Sequence, residues 1–302
     1  MHEFSVEIAS HLARWSRVSP AHGNHRTRLD CLPARLAVLF LFAGLSCRQT
    51  AVAQTAAVHY LPTATFTEME NRQLLALFES LRVADVSDGM DKAGLQGIGL
   101  VDPGIGPLWK DTVEFSHRIV GVAVTARYVP TQSPPAGKRD TDAFDRWVGA
   151  WYGGKSGEPF VDKLFPGAVL VIEENGHDTG SIGSNNILGW KQKGCVGVVS
   201  SSTARDTDEI IAQKIPLYFK HPGRGIRPGR NEIESVNAPV VVGGALVIPG
   251  DIVVADGDGV IVVPRAHARE VAAYAAKTVT ADKAARRKKY EELGLDKDKS
   301  VE

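Results

Sequence analysis

Cysteine is scarce in this sequence: the 302 residues contain Cys31, Cys47 and Cys195 and no others. No pair of them has the CxxC spacing, so they indicate neither a zinc knuckle nor a redox pair. The sequence also has no excess of charge of one sign, since Lys plus Arg and Asp plus Glu each number 35. A chain with zero formal net charge and no long basic stripe before its C-terminus is not expected to bind nucleic acid.

Three well-known motifs are missing as well. The glycines at 180 and 183 lack the third glycine and the downstream acidic residue of a dinucleotide-binding fingerprint. No Gly-Lys-Ser/Thr follows them, which argues against a P-loop. The serines at 200–202 do not stand in a Gly-x-Ser-x-Gly elbow. We therefore expect neither of these nucleotide sites nor a serine hydrolase.

The N-terminal residues follow the order of a secretory signal peptide. Several arginines precede an apolar run at 36–45, and the Ala-Val-Ala at 51–53 has the small-residue pattern of a cleavage site. The sequence thus predicts a signal peptide over 1–53 and export to the periplasm. The apolar run is shorter than the roughly 20 residues of a permanent membrane helix, so no stable membrane anchor is expected. The alternative is a misassigned start codon, in which case the protein is cytoplasmic.

Apolar periodicity divides the rest of the chain into helices and strands. Helical spacing predicts helices over 67–81, 83–95, 141–151, 185–193, 206–214 and 266–293. Short β-branched runs predict strands over 119–129, 165–172 (after an initial turn), 196–200, 240–242, 245–248, 252–255 and 260–263. The polar, Gly- and Arg-rich segment 221–237 is predicted to be an excursion loop. This order predicts a single α/β domain over 67–295, with a lead-in at 54–66 and a tail at 296–302.

Acidic residues cluster between two of the predicted strands. Asp251, Asp256 and Asp258 suggest a calcium loop, but their spacing is too short for an EF-hand. The two Asp-Gly pairs at 256–259 are typical of a tight turn. We therefore predict a hairpin here.

A glycine-rich turn opens the predicted helix at 185–193. Gly183, Ser184, Asn185 and Asn186 can present backbone N–H groups there, because the first N–H groups of a helix have no partner within it. Two or three such donors can hold a carboxylate or an enolate oxygen. The alternative is an ordinary glycine turn in which a serine or asparagine caps the helix.

Arg205 and Asp206 follow the predicted strand at 196–200. An arginine offers a planar fork for a substrate carboxylate, and an adjacent aspartate can bind a metal ion. On spacing alone the simpler interpretation is a surface arginine beside an aspartate that caps the helix at 206–214, since aspartate is common at helix starts. Asp206 can also serve both purposes, so the alternatives stay open here.

Several motifs occur together in a characteristic order. They are residues 83–89 (VADVSDG), 165–172 (FPGAVLVI), 183–186 (GSNN), 194–199 (GCVGVV), 205–206 (RD), 242–247 (VGGALV), 249–251 (PGD) and 255–264 (ADGDGVIVVP). Over residues 67–295 the chain resembles the RraA-like family, which includes 4-hydroxy-4-methyl-2-oxoglutarate aldolase, with its oxaloacetate decarboxylase activity, and the regulator of ribonuclease E activity. The resemblance implies an α-β-β-α sandwich similar to the phosphohistidine swivelling domain, assembled as homotrimers or hexamers with sites between subunits.

The resemblance also implies a site and a reaction. It implies a divalent metal, Mg²⁺ or Mn²⁺, bound by Asp206 and by Asp282 of a neighbouring subunit. Arg205 would then hold the carboxylate of a small 2-oxo acid, and residues 183–186 would form a backbone cradle. The implied enzyme is a lyase that breaks a C–C bond through a pyruvate enolate, whose charge the metal and the arginine stabilise. The alternatives are a non-catalytic binding or regulatory protein and a lyase for another carbonyl compound.

The sequence departs from the family pattern at three places. Ser201 and Ser202 stand where aldolase members have Asp-Gly, and Ser184 replaces the acidic residue that usually follows the glycine turn. The basic segment 224–230, with arginines at both ends and in the middle, is an addition to the pattern. Its three arginines suggest an anionic or larger substrate.

Overall fold

A computed structural model describes residue 61 and residues 63–134, 136–174 and 178–302 of the chain. All of them belong to one unit that spans Val58–Glu302. The predicted signal peptide and most of the predicted lead-in lie outside the described residues. Within the described residues, no helix combines the length and the apolar character that crossing a membrane requires.

The described residues form six α-helices. They are α1 (Glu68–Phe78), α2 (Val83–Lys92), α3 (Thr141–Gly154), α4 (Ser184–Gln192), α5 (Thr207–Ala212) and α6 (Ala268–Leu293). A capping box starts α1: the Thr67 hydroxyl accepts from the Glu70 N–H at 3.2 Å, and Glu70 Oε2 accepts from the Thr67 N–H at 2.7 Å. At the far end of α6, Gly294 has a φ of 66°, which a glycine adopts without strain and which ends the helix.

The described residues also form twelve β-strands, seven of which follow one another between α5 and α6. They are β1 (Gly106–Pro107), β2 (Ile119–Pro130), β3 (Ala168–Glu174), β4 (Cys195–Ser200), β5 (Thr203–Ala204), β6 (Leu217–Phe219), β7 (His221–Pro222), β8 (Asn231–Val236), β9 (Val240–Val242), β10 (Ala245–Val247), β11 (Ile252–Asp256) and β12 (Gly259–Val263). The main sheet has the order β1-β6-β4-β3-β2-β11-β12, with β8 also paired to β2. The strands β2, β3, β4 and β6 run parallel, and β11 and β12 run antiparallel to their neighbours.

The main sheet curls into a nearly closed barrel. Its two end strands, β1 and β12, lie next to each other. An antiparallel bridge between Leu100 and Ile261 ties the segment before β1 to β12. The fold is therefore a mixed α/β fold built around one strongly curved sheet, as the alternation of helices and strands predicts. The finer expectation, a sandwich of the phosphohistidine swivelling type, stays a prediction.

Strand β3 is buried on both sides, as its apolar sequence predicts. Val169 and Val171 pack with residues of β9–β12, whereas Leu170 and Ile172 pack with α4 and α5, including Trp190. The helices α1, α2 and α6 cover the opposite faces of β11 and β12 in a further cluster. Each fully buried side chain of this size contributes about 1.5–3 kcal/mol, so the layers on both sides hold the sheet in place.

Segment 221–237 is not the loop that its polar composition predicts. Residues 231–236 form β8, which pairs antiparallel with the second half of β2, for example Arg127 with Ser235 and Val129 with Glu232. Strand β11 pairs only with the first half of β2, so the second half offers a free edge. Backbone hydrogen bonds to such an edge do not require apolar side chains, and the prediction of a loop was therefore wrong here.

The hairpin prediction at 256–259 is confirmed. Asp256 pairs with Gly259 at the end of β11 and β12, and its Oδ1 accepts from the Asp258 N–H at 2.9 Å. The Asp256 side chain thus accepts a hydrogen bond from a backbone N–H of the turn that it precedes, which is a common role of aspartate in turns.

Candidate functional site

The candidate site lies where the parallel strands β3 and β4 end. Helix α4 connects these two strands, so the turn that follows β3 and the segment that follows β4 emerge at the same edge of the sheet. Arg205 donates its backbone N–H to Ile182 O at 2.8 Å, and Ile182 bridges Ala204 of β5. These contacts join the segment after β3 to the segment after β4. In α/β proteins, ligands usually bind at this edge, beyond the carboxyl ends of the parallel strands.

Two glycines shape the turn. Gly180 has a φ of +52°, and a Cβ there would lie 2.7 Å from Gly225 O, so both its backbone and its surroundings require glycine. Gly183 precedes the first residue of α4, and no side chain caps the helix from this position. A Cβ on Gly183 would lie 3.0 Å from Asp206 Oδ2 and 3.3 Å from Asn186 Oδ1. Two side-chain oxygens therefore border the same small space in front of the helix.

Asp206 occupies the N-cap position of α5 but does not cap that helix. Its backbone is left-handed, with φ 56° and ψ 40°, and its side chain makes no capping hydrogen bond to α5. Instead, Oδ2 accepts from the Ser184 N–H at 3.2 Å and from the Ser184 hydroxyl at 3.4 Å. The simple N-cap interpretation is therefore wrong, because the left-handed backbone directs the carboxylate to the first turn of the neighbouring helix α4.

Arg205 lies beside this carboxylate with its side chain partly exposed. Its Nε is 3.8 Å from Asp206 Oδ1, and its Nη1 donates to Gly225 O at 3.4 Å. The side chain is 41% exposed, so most of the guanidinium's donors remain accessible from solvent. A half-exposed arginine held at one edge can form the paired hydrogen bonds that a ligand carboxylate prefers.

The amide of Asn186 is oriented by Glu158. Asn186 Nδ2 donates to Glu158 Oε1 at 2.7 Å, and a carboxylate can only accept, so the amide oxygen faces Gly183. The same carboxylate accepts from Trp190 Nε1 at 2.8 Å and from the Arg227 guanidinium. Glu158 thus fixes the side chain that borders the space in front of α4.

Arg227 is a structural residue rather than a free cation of the added basic segment. Its side chain is 3% exposed, and it donates to the Tyr128 hydroxyl at 3.0 Å and to Ser156 O at 2.9 Å. Burial by itself would lower its pKa, but Tyr128 and Glu158 more than offset this effect, so the pKa lies above its ordinary value. The suggestion that all three arginines of 224–230 bind an anionic substrate is therefore wrong for Arg227.

Glu158 and Arg227 are the site-supporting residues that the sequence analysis missed or misjudged. Glu158 has two partners, Asn186 and Arg227, which lie 28 and 69 residues further along the chain. No sequence period links such positions, since the contact exists only after the β3–α4 unit and the segment before β8 have packed together.

The serines that replace the family's Asp-Gly both contact Glu174, Ser202 at its buried carboxyl group and Ser201 at its backbone carbonyl. The Ser202 hydroxyl donates to Glu174 Oε2 at 2.7 Å, and the Ser201 hydroxyl donates to Glu174 O at 3.1 Å. Thr179 and Asn231 donate to the other carboxylate oxygen, each at 2.6 Å. Glu174 is 2% exposed, so these neutral donors supply the hydrogen bonds that the buried carboxyl group cannot obtain from water.

The remaining predicted residues are placed as follows. Asn185 is exposed on the first turn of α4, next to the site. Asp282 lies on α6, where its Oδ2 accepts from Arg82 Nη2 at 2.8 Å and from Arg286 Nε at 2.9 Å. The structure therefore brings residues 183–186 together with the Arg-Asp pair, whereas Asp282 is engaged by arginines of its own chain. Its role toward a neighbouring subunit stays a prediction.

The oxygens in front of α4 are suited to a hard divalent cation. Asp206 Oδ2 and Asn186 Oδ1 supply one carboxylate and one amide oxygen, the ligand types that Mg²⁺ and Mn²⁺ prefer. Within the described residues, no group of three or more His, Cys, Asp or Glu side chains is arranged to hold a metal ion. A cation here would keep several water ligands, which is usual for Mg²⁺.

Comparisons with known proteins give a family model and several relatives that match this chain. The model of the RraA-like family, described as Aldolase/RraA, matches residues 83–262. A putative 4-hydroxy-4-methyl-2-oxoglutarate aldolase from Halalkalibacterium halodurans is 33% identical over 124 residues, which cover 40% of this chain and 58% of that protein. Protein DlpA from Legionella pneumophila is 27% identical over 191 residues, covering 62% of this chain and 27% of that protein. The match thus spans little more than half of the first relative and about a quarter of the second.

A solved structure shares the fold. Streptomyces coelicolor RraAS2, described as an unusual member of the RNase ES inhibitor RraA protein family, superimposes with a TM-score of 0.58 at 22% sequence identity. The superposition covers 72% of this chain and 98% of that one. At this level of identity the likeness concerns the architecture.

Proposed function

Because this chain belongs to the RraA-like family, we propose that it is a metal-dependent lyase acting on a 2-oxo acid, similar to 4-hydroxy-4-methyl-2-oxoglutarate aldolase and oxaloacetate decarboxylase. The observation that carries the proposal is the meeting of Arg205, Asp206 and the start of α4 at one accessible place. These are an anion-binding group, a cation-binding group and a row of backbone donors. Together they match the charges that develop when a pyruvate enolate forms.

The reaction requires the enzyme to stabilise negative charge next to a carboxylate. When the bond between C3 and C4 of the substrate breaks, its electron pair stays on C3, and the charge spreads to the oxo oxygen as an enolate. Arg205 binds the neighbouring carboxylate and reduces the repulsion between the two anionic groups. Backbone N–H groups in the first turn of α4 have no partner within the helix and add further positive potential.

Asp206 and Asn186 would hold the divalent cation, together with water and with Asp282 of a neighbouring subunit. When bound, Mg²⁺ or Mn²⁺ would supply Lewis-acid stabilisation of the negative charge that develops in the reaction. Ser184 stands where aldolase members carry an acidic residue, so the site of this chain has one protein carboxylate fewer than the sites of those aldolases. Its N–H and hydroxyl instead orient Asp206. We expect weaker metal binding for this reason.

Turnover of oxaloacetate with added Mg²⁺ or Mn²⁺ tests this proposal. We expect decarboxylation that EDTA abolishes, and a loss of about 100-fold or more in Asp206→Asn, as is typical when one charge-stabilising group is removed. Asp208→Asn is the matched control, because Asp208 is an exposed carboxylate on the first turn of α5. Activity that resists chelation, or Asp206→Asn with full activity, contradicts the proposal.

A non-catalytic regulatory protein is the second candidate. The substitutions at 184 and 201 favour it, because they remove acidic groups that aldolase members use. The fold shared with Streptomyces coelicolor RraAS2 is compatible with it. A folded wild-type protein that binds no Mn²⁺ and turns over none of the 2-oxo acids in a metal-supplemented screen would support this candidate.

Assembly and location follow as separate proposals. We propose a homotrimer or hexamer, which sedimentation or light scattering can distinguish from a monomer. We also propose export after cleavage of residues 1–53. N-terminal sequencing of the mature protein tests the cleavage, and an intact leader on cytoplasmic protein contradicts it.

A further inference from the structure

A cleft of about 490 Å³ adjoins the candidate site. Helix α3 forms one wall, and the added segment 224–230 forms the other. The lining residues used below are Phe144, Trp147, Arg224, Gly225, Gly229 and Arg230. Its volume lies within the roughly 300–1,000 Å³ of typical small-molecule sites.

One wall of the cleft is aromatic. The ring centroids of Phe144 and Trp147 are 5.6 Å apart, and Phe144 is 42% exposed although it is a large apolar residue. A Cβ on Gly229 would lie 3.1 Å from the Trp147 ring, so the opposite backbone approaches the indole closely. This contact leaves no gap between Trp147 and Gly229, so a ligand ring would stack on the exposed Phe144 side chain beside the indole.

The charge of the cleft is positive. Arg224 forms hydrogen bonds to Asp178 through Nε at 2.8 Å and through its backbone N–H at 2.5 Å, and these bonds hold the pKa of Asp178 below its ordinary value. Asp178 is therefore ionised and neutralises Arg224. Arg230 is exposed and donates to Ile226 O at 2.9 Å, and within the described residues it forms no salt bridge. Its charge is thus available to an anion.

Gly225 connects the cleft to the candidate site. Its carbonyl accepts from Arg205 Nη1 at 3.4 Å, and a Cβ on Gly225 would lie 2.9 Å from Arg230 Cζ. The guanidiniums of Arg205 and Arg230 therefore both contact this one residue. A ligand with an anionic group at each end can contact both arginines by crossing Gly225.

We infer that this cleft binds the distal half of the substrate and that this half is an aromatic ring carrying an anionic group. The inference rests on the proposed lyase function. The substrate is then a 4-hydroxy-2-oxo acid with the ring attached to C4. Breaking the C3–C4 bond leaves its electron pair on C3, the C4 hydroxyl loses its proton and becomes an aldehyde, and a proton adds to C3. The products are pyruvate and an anionic aromatic aldehyde, with no oxidant or reductant needed.

Direct binding of aldehydes tests the inference without requiring turnover. Calorimetry compares 4-formylbenzoate with benzaldehyde on the wild-type protein, Arg230→Gln and Arg146→Gln. Arg146 is the matched control, because it is exposed on α3 and does not line the cleft. We expect 4-formylbenzoate to bind about tenfold or more tightly than benzaldehyde, a difference of about 1.4 kcal/mol. Arg230→Gln should abolish the difference, and Arg146→Gln should keep it.

Contrary results are equally clear. Equal binding of the two aldehydes, no binding, or the same loss in Arg146→Gln overturns the inference. So does a change of oligomeric mass in Arg230→Gln, since the cleft would then be a contact between copies of the chain. Pyruvate proton exchange, measured separately, reports on the lyase proposal. Exchange without selective aldehyde binding contradicts only the inference, and selective binding without exchange contradicts only the proposed function.

Discussion

The carboxylate of Asp206 caps helix α4 through Ser184 instead of capping the helix that Asp206 itself begins. Oδ2 accepts from the Ser184 N–H at 3.2 Å, and the backbone of Asp206 is left-handed, with a φ of 56°. A left-handed non-glycine residue costs of order 1 kcal/mol or more, although aspartate tolerates it better than most. The structure maintains this conformation at the edge where Arg205 and the glycine turn also lie. Such strain is typical of functional sites.

An acidic residue at position 184 should lower the stability of the metal-free protein and raise its affinity for a divalent metal ion. In Ser184→Asp, the new carboxylate lies next to Asp206, and two such charges repel by about 1–4 kcal/mol, more than the roughly 0.3–1 kcal/mol gained from the helix dipole. We expect the Tm without metal to fall by about 2–4 °C. Mn²⁺ affinity should rise about tenfold, because two carboxylates then face the cation. Calorimetry and thermal unfolding measure both effects.

Ser184→Asn controls for side-chain size at this position. It adds no charge, so the Tm and the Mn²⁺ affinity should stay close to those of the wild type. An equal Tm loss in both variants would show that packing, not charge, is responsible.

Glu158 should matter more for stability than the exposed arginines of the added segment. Glu158→Gln leaves the buried Arg227 guanidinium without its anion, which costs about 3–5 kcal/mol at buried pairs. Arg230→Gln, in the same segment, should change stability by less than about 0.5 kcal/mol because Arg230 is exposed. Urea unfolding gives both values. Similar losses in the two variants would contradict the structural role given to Arg227.

The glycine turn offers a matched pair of substitutions. Gly180→Ala should destabilise by about 1–3 kcal/mol, since φ is +52° and the new Cβ would lie 2.7 Å from Gly225 O. Gly189→Ala should be neutral or stabilise by up to about 1 kcal/mol, because Gly189 lies within α4 and a Cβ there meets nothing within 4 Å. A stable Gly180→Ala protein would mean that the turn is not constrained as described.

Stability should fall in mild acid because of His117. The ring is buried, and its Nδ1 accepts from the Asp111 N–H at 3.0 Å. Burial, followed by the nearby Arg118, lowers the pKa of His117, so the folded protein takes up this proton less readily than the unfolded chain, whose histidine titrates at about pH 6.5. The unfolded state therefore binds more protons as the pH falls below about 6.5, and the free energy of unfolding decreases.

Urea unfolding at pH 7.5 and 5.5 measures this effect. His117→Asn is the comparison, since its amide oxygen can replace Nδ1 as acceptor without titrating. The variant should lose less stability between the two pH values than the wild type. Equal losses would assign the pH dependence to other groups.

Local patterns predict local structure well in this chain. The apolar run of β3, the Thr67–Glu70 capping box and the Asp-Gly hairpin each depend on neighbouring residues, so each could be predicted. Strand β8 could not, because its partner is the half of β2 that β11 leaves unpaired, about a hundred residues earlier in the chain. Composition suggested a loop, whereas the free edge of β2 determined the outcome.

The candidate site shows the same division. The glycine turn and the Arg-Asp pair were recognisable from the ordered motifs, and the parallel strands bring them together. The target of the Asp206 carboxylate was not predictable, since it depends on one left-handed backbone conformation. The buried position of Arg227 was equally hidden, because a Gly- and Arg-rich segment gives no sign of which arginine packs against Tyr128 and Glu158.

The most direct test of the central claim is exchange of the pyruvate methyl protons in D₂O, followed by NMR. We expect the protein to catalyse this exchange when Mg²⁺ or Mn²⁺ is present, because the site stabilises the enolate, and we expect EDTA or Asp206→Asn to abolish it. Asp208→Asn should exchange like the wild type. Absence of metal-dependent exchange by the folded protein, or undiminished exchange in Asp206→Asn, would contradict an enolate-stabilising site at Arg205 and Asp206.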